Sequence, residues 1–136
     1  METVSKNLKK RPVDTVFIGG GTPSVPECDV MEKLLQGLRD YFLFSADAEV
    51  TIEANPGTLT PEKLSIYRKY GINRISIGLQ SPNNKELAML GRIHNYAQFL
   101  ESFQMAREAG FSNINVDLMF AIPGQCYDCL LYTSDA

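Results

Sequence analysis

The chain has 136 residues, 44% of them hydrophobic, and a formal net charge of −3 at pH 7. That is one small domain or a piece of a larger one, with enough apolar material for a core. The mildly acidic balance lacks the charge signature of a nucleic-acid binder, and the short basic run Lys6, Lys9, Lys10 and Arg11 reads as a solvated helix end.

In chain order, residues 1–13 form a polar lead-in without a clear period. Thr15 to Ile18 is an apolar, β-branched run that reads as a buried strand. It stops in Gly19-Gly20-Gly21-Thr22-Pro23, where glycines permit backbone angles closed to other residues and proline ends the ladder. A glycine-rich turn after a parallel strand offers backbone N–H groups to a ligand above the sheet; the plain alternative is a tight strand-to-helix connection with no ligand. Val30, Leu34, Leu35, Leu38, Tyr41 and Phe42 then recur at helical spacing. Cys28, at the entry of that helix, reads as a small packing residue.

Glu49 to Ala54 alternates as a second strand, and Asn55-Pro56-Gly57 stops it. Thr60 as N-cap, Pro61 at the first helical position and Glu62 in the first turn predict a helix to about Tyr70, closed by Gly71. Asn73 to Leu79 is the third strand, followed by Gln80 and the turn Ser81-Pro82-Asn83. A helix over about Asn84 to Leu90 is broken by Gly91, and another over about Tyr96 to Ala109 carries Phe99, Phe103 and Met105. Ile114 to Met119 is the fourth strand, from which Phe120 to Gln125 turns away. Strands alternating with helices give an α/β fold with a parallel sheet. Four strands do not close a barrel of the usual size, so a barrel-type architecture makes this chain a sector of one.

Three strands end in a polar residue: Glu53, Gln80 and Asp117. In a parallel sheet these ends lie along one edge together with the glycine turn, and that edge is where α/β folds bind ligands. A carboxylate suits ribose hydroxyls or an ammonium group, and a glutamine amide both donates and accepts. Asp117, between Val116 and Leu118, needs a partner if buried; its alternative role is to cap a following helix. Arg92, after Gly91, is placed to reach a ligand carboxylate as a bidentate donor or to lie on the surface. His94 is the only histidine and reads as a packing or helix-entry residue. Cys126 and Cys129 have C-x-x-C spacing but no second pair or histidine beside them. No nucleophile–base–orienter set is visible, so a cofactor must carry any chemistry.

The segments Phe17–Pro23, Thr51–Gly57, Asn73–Ser81, Leu90–His94, Asn115–Met119 and Pro123–Gln125, in this order, resemble the radical SAM proteins related to oxygen-independent coproporphyrinogen III oxidase. Glu53–Gly57, Gln80-Ser81 and Leu90–His94 resemble the HemW-type branch, the heme chaperones, more than the oxidase branch. The resemblance implies a partial parallel (β/α) barrel of the radical SAM type, about four of its βα units lying in residues 14–125. It implies S-adenosylmethionine (SAM) across the strand ends on a 4Fe-4S cluster. Gly20, Gly21 and Thr22 would lie beside the methionine end. Glu53, Gln80 and Asp117 would hold polar parts of the cofactor, ribose included, and Arg92 would pair with the carboxylate. The cluster would reduce SAM to a radical. In the oxidase branch this starts oxidative decarboxylation of porphyrinogen propionates; in the HemW-like branch the expected role is binding heme and delivering it to an acceptor protein.

Two features depart from that pattern. The family holds its cluster with a Cys-x3-Cys-x2-Cys motif upstream of the glycine turn, whereas no cysteine precedes Cys28 here. The chain is therefore expected to be an internal fragment, inactive alone and prone to aggregate through its open sheet edge. Residues 126–136 resemble a translated adapter read and are taken as a non-native tail. No apolar run approaches a membrane span and no signal-peptide pattern is present, so a cytoplasmic protein is the simplest expectation. The near alternative is the oxidase itself; a more distant one is a non-catalytic α/β module with phosphate in the glycine turn.

Overall fold

The computed structural model describes residues 11–125. The elements are β1 (Val13–Ile18), α1 (Cys28–Tyr41), β2 (Phe44–Ala54), α2 (Pro61–Lys69), β3 (Arg74–Gln80), α3 (Asn84–Met89), α4 (Tyr96–Glu108) and β4 (Asn113–Leu118). All neighbouring strands pair in parallel, in the order β1-β2-β3-β4. This is the expected α/β arrangement, with β1 and β4 at the edges of the described sheet; β1, read as a buried strand, is instead an edge strand with Phe17 exposed, because it has a paired neighbour on one side only among the described residues. No helix among the described residues is long and apolar enough to cross a membrane. Most of the lead-in, the Cys126/Cys129 pair and the tail over 126–136 lie outside the described residues.

Local signals set the helix ends. The Thr60 side chain accepts from the Lys63 N–H at 3.2 Å and Pro61 opens α2. Gly71, at φ 81, closes that helix; a Cβ there would collide with the Arg39 guanidinium, which donates to Tyr70 O at 2.7 and 3.0 Å. Asn95 and Gln98 form a reciprocal capping box at the start of α4.

Two strand boundaries differ from expectation. β1 starts at Val13, inside the stretch read as lead-in, and β2 starts at Phe44 instead of Glu49. Phe44 to Asp47 does alternate apolar and polar, but alanine and aspartate are weak strand formers and the expectation stops short of them. Pairing supplies the missing order: Val13 matches Phe44, and an irregularity before the Thr15–Glu49 match absorbs the extra residues. Val13 N donates to Leu43 O at 2.7 Å, and Ser45 Oγ bonds the Asp14 carboxylate.

The sheet has two unlike faces. Val50, Ile52 and Ala54 of β2 and Ile75, Ile77 and Leu79 of β3 join Met31, Leu35, Leu64, Tyr67, Phe99 and Ala106 of the helices in one buried cluster. The alternate residues face the other way and are mostly polar. Register aligns Glu53 with Ser76, Ser76 with Asn115, and Gly78 with Asp117. A period of two thus places one row in the core and the next on an open polar face.

Tyr67 is fully buried in the core. Burial, with a smaller push from the Cys28 thiolate, raises its phenol to about 12. Its contribution to stability is complete below the ordinary tyrosine value near 10. Above that, the unfolded chain releases the proton first, and the contribution falls away as pH rises towards 12. Urea midpoints followed through that alkaline window should therefore fall less steeply in Tyr67→Phe than in the parent.

Candidate functional site

The glycine turn owes its shape to two positive-φ residues, Gly20 (φ 87) and Gly21 (φ 66). Gly20 N donates to Glu53 Oε2 at 3.2 Å, which ties the turn to the end of β2. Gly19 makes room for that contact, since a Cβ there would sit 2.8 Å from Glu53 Oε2.

The next residues are pinned to the loop after β2. Asn55 Nδ2 donates to Thr22 Oγ1 at 3.2 Å and Asn55 N to Ser24 Oγ at 3.2 Å. Ser24 Oγ lies 2.6 Å from Thr58 Oγ1. The Lys63 ammonium then closes the two loops together, donating to Ser24 O at 2.7 Å, Val25 O at 3.2 Å and Thr58 O at 3.3 Å.

On the far side, Asp117 is half-buried and has partners. Its Oδ2 accepts from Ser76 Oγ at 2.9 Å and its Oδ1 from Asn115 Nδ2 at 2.7 Å. No helix follows it among the described residues for it to cap. Asn115 Nδ2 also reaches Ser76 Oγ at 2.9 Å, so three side chains on adjacent strands hold one another. Gln80 closes β3 at φ 70, and its Nε2 lies across Gly78, 2.8 Å from where a Cβ would stand.

These parts enclose a cavity of about 260 Å³ lined by Gly21, Thr22, Glu53, Gln80, Arg92 and Asp117, with Pro23, Ala54, Asn55, Ser76 and Gly78 between them. Six of the seven predicted site residues thus meet at one rim. Gly20 is not on the wall; its N–H fixes the Glu53 carboxylate instead. Arg92, Thr22 and Asn55 also line a neighbouring cavity of about 340 Å³. The ion pairs among the described residues are Lys33–Asp29 and Lys69–Glu32, both elsewhere. Two carboxylates against one guanidinium leave the rim cavity one negative charge in excess.

Sequence reasoning missed Asn55, Ser76, Gly78 and Asn115. For Ser76, Gly78 and Asn115 the signal was the alternation within β3 and β4, where they share a face with Asp117; Asn55, in the loop after β2, gave none. His94 is buried with Nε2 3.2 Å from Leu79 O, in keeping with a packing role. Cys28 is half-buried; desolvation and then the Glu62 carboxylate push its thiol up, away from the reactive thiolate. Among the described residues no group of three or more His, Cys, Asp or Glu is placed to hold a metal.

A family model described as the radical SAM superfamily matches residues 1–135. The chain is 44% identical over 115 residues to the heme chaperone HemW of Escherichia coli (strain K12), covering 85% of this chain and 30% of that protein. It is 43% identical over 112 residues to heme chaperone HemW of Bacillus subtilis (strain 168), covering 82% of this chain and 30% of that one. Among solved structures, coproporphyrinogen III oxidase (HemN) from Escherichia coli, a radical SAM enzyme, matches with a TM-score of 0.82 at 29% identity, over 97% of this chain and 32% of that one. HydG, a maturase of the FeFe-hydrogenase, shares the fold with a TM-score of 0.70 at 16% identity, over 98% of this chain and 31% of that one. The chain therefore spans about a third of the length of the relatives it matches.

The Lys63 clamp generates a direct test. Lys63→Met removes a charged donor from three carbonyls and should cost about 2 kcal/mol in urea unfolding. It should also speed amide exchange at Asn55, whose N–H points at Ser24; unaltered exchange there would show that the loops hold without the ammonium.

Proposed function

Because this chain belongs to the radical SAM superfamily, we propose that its rim cavity receives SAM within a HemW-like protein that binds heme and passes it to an acceptor protein. The observation that carries this reading is the gathering of Gly21, Glu53, Gln80, Arg92 and Asp117 around one polar cavity. SAM carries a sulfonium, an ammonium and a carboxylate, a net charge opposite to that of the cavity. Among the described residues Arg92 supplies the one cationic side chain on the wall, the fit for the carboxylate. Glu53 and Asp117 take the ammonium and ribose hydroxyls, and Gln80 donates or accepts as the ribose requires. Gly21 and Thr22 form the floor beside the methionine end. Gly20 acts through its N–H, which holds Glu53 in place.

The described residues do not fit the iron–sulfur cluster: Cys28 is the free cysteine among them and stands apart from the cavity. The thiolates would come from outside the described residues. When bound, cluster and SAM together supply radical chemistry. What this chain contributes is the seat: it orients the cofactor's polar groups and fixes them against two pinned loops.

The second reading is the anaerobic coproporphyrinogen III oxidase, favoured by the TM-score of 0.82 to that enzyme. The higher identity to HemW, 44% against 29%, supports the chaperone. In the complete protein with iron and sulfide reconstituted, Asp117→Ala and Arg92→Ala should each weaken SAM binding in equilibrium dialysis by about tenfold or more, the worth of a charged hydrogen bond. Unchanged affinity in both defeats the pocket assignment. Protoporphyrinogen formation by the same protein would favour the oxidase, and heme binding without turnover the chaperone.

A further inference from the structure

Gln80 combines two features that rarely coincide. It is a β-strand terminus with a side chain on the proposed cofactor, and it is a non-glycine residue at positive φ, 70°. Only one other described non-glycine residue, Ala121, shares that backbone state. A left-handed backbone at an ordinary residue persists only when its surroundings over-determine it. Here the surroundings converge on the carbonyl just before it. Leu79 O accepts from Ser81 N at 2.9 Å and lies 3.2 Å from His94 Nε2. Gln80 O accepts from Met119 N at 2.8 Å, and Ser81 Oγ is held by the buried Glu86 at 2.6 Å.

The backbone contacts come from residues next to Gln80 or from the neighbouring strand. His94 differs: it lies beyond α3, it is buried, and its ring has no other polar partner among the described residues. It stands two residues after Arg92, which enters the same cavity.

We infer that His94 is a positioning residue: by donating from Nε2 to Leu79 O it holds Gln80 in the left-handed state that lays its amide across Gly78 and against the cavity. The inference rests on the SAM reading of that cavity. With the ring in place, one loop sets both Arg92 and Gln80. Without the donor, Gln80 relaxes to an extended backbone and its amide leaves the wall.

The test uses the complete, cluster-reconstituted protein and S-adenosylhomocysteine as an unreactive probe. His94→Phe keeps a ring and loses the donor; it should weaken binding about fivefold to tenfold, the worth of one neutral hydrogen bond. His94→Gln, which keeps an amide donor at similar reach, should restore most of the affinity. In a Gln80→Ala background, His94→Phe should add less than about twofold, because the two act as a unit. Crystals of unliganded His94→Phe should show Gln80 at negative φ. Positive φ retained there, or full additivity with Gln80→Ala, overturns the positioning role whatever the cavity binds. Gln80→Ala with undiminished affinity overturns instead the cofactor role of Gln80 on which it rests.

Discussion

A parallel sheet cannot choose where its strands end independently of one another. Once Glu53 is aligned with Ser76 and Gly78 with Asp117, the C-terminal ends fall along one edge, and their alternation places one residue set in the core and the next on the polar face. A slip of one residue on any strand would send Ile52, Ile77 or Val116 into the cavity and Glu53, Gly78 or Asp117 into the helices. The fully buried Ile52 and Ile77 make that slip costly, so apolar packing behind the sheet fixes the geometry of the charged groups in front of it.

Register brings the strand ends to the rim, and the loops refine what is presented there. On one side the ammonium of Lys63, the hydroxyls of Ser24 and Thr58 and the amide of Asn55 join the glycine turn to the loop after β2. On the other, Ser76 Oγ and Asn115 Nδ2 each donate to the Asp117 carboxylate and orient it. Buried Glu86 links Ser81 to Gln125, at 2.6 and 3.2 Å, so the loops after β3 and β4 share an anchor. The two rim carboxylates, Glu53 and Asp117, are thus each held by a partner from another element. Such preorganisation is what binding a flexible cofactor with three charged groups requires.

The convergence of Glu53, Gln80, Asp117 and the glycine turn was legible in the sequence because each strand stops at a glycine, a proline or a polar side chain. The helix ends were legible for the same kind of reason, as Thr60, Pro61 and Gly71 act locally. The support of Asp117 was not read. Ser76 and Gly78 are small residues inside Ile75, Ile77 and Leu79, and the stretch passes for a continuous apolar run. The start of β2 escaped although Phe44 to Asp47 alternates, because alanine and aspartate are weak strand formers and it is the pairing of Phe44 with Val13 of β1 that orders the stretch. The left-handed backbone of Gln80 left no mark at all, since glutamine has no preference for it. The HemW-like resemblance agrees with the similarity to curated HemW proteins, while the roles given to individual residues remain proposals about a cavity whose walls are in place.

The charge balance of the rim, two carboxylates and one guanidinium, matches a ligand with one excess positive charge and disfavours phosphate in the glycine turn, where Glu53 already occupies the Gly20 N–H. The most direct measurement is a crystal structure of the complete protein soaked with S-adenosylhomocysteine. The account predicts ligand density bounded by Gly21, Glu53, Gln80 and Asp117, with the ligand carboxylate on Arg92. Density confined to another surface, with this cavity holding only water, would contradict it.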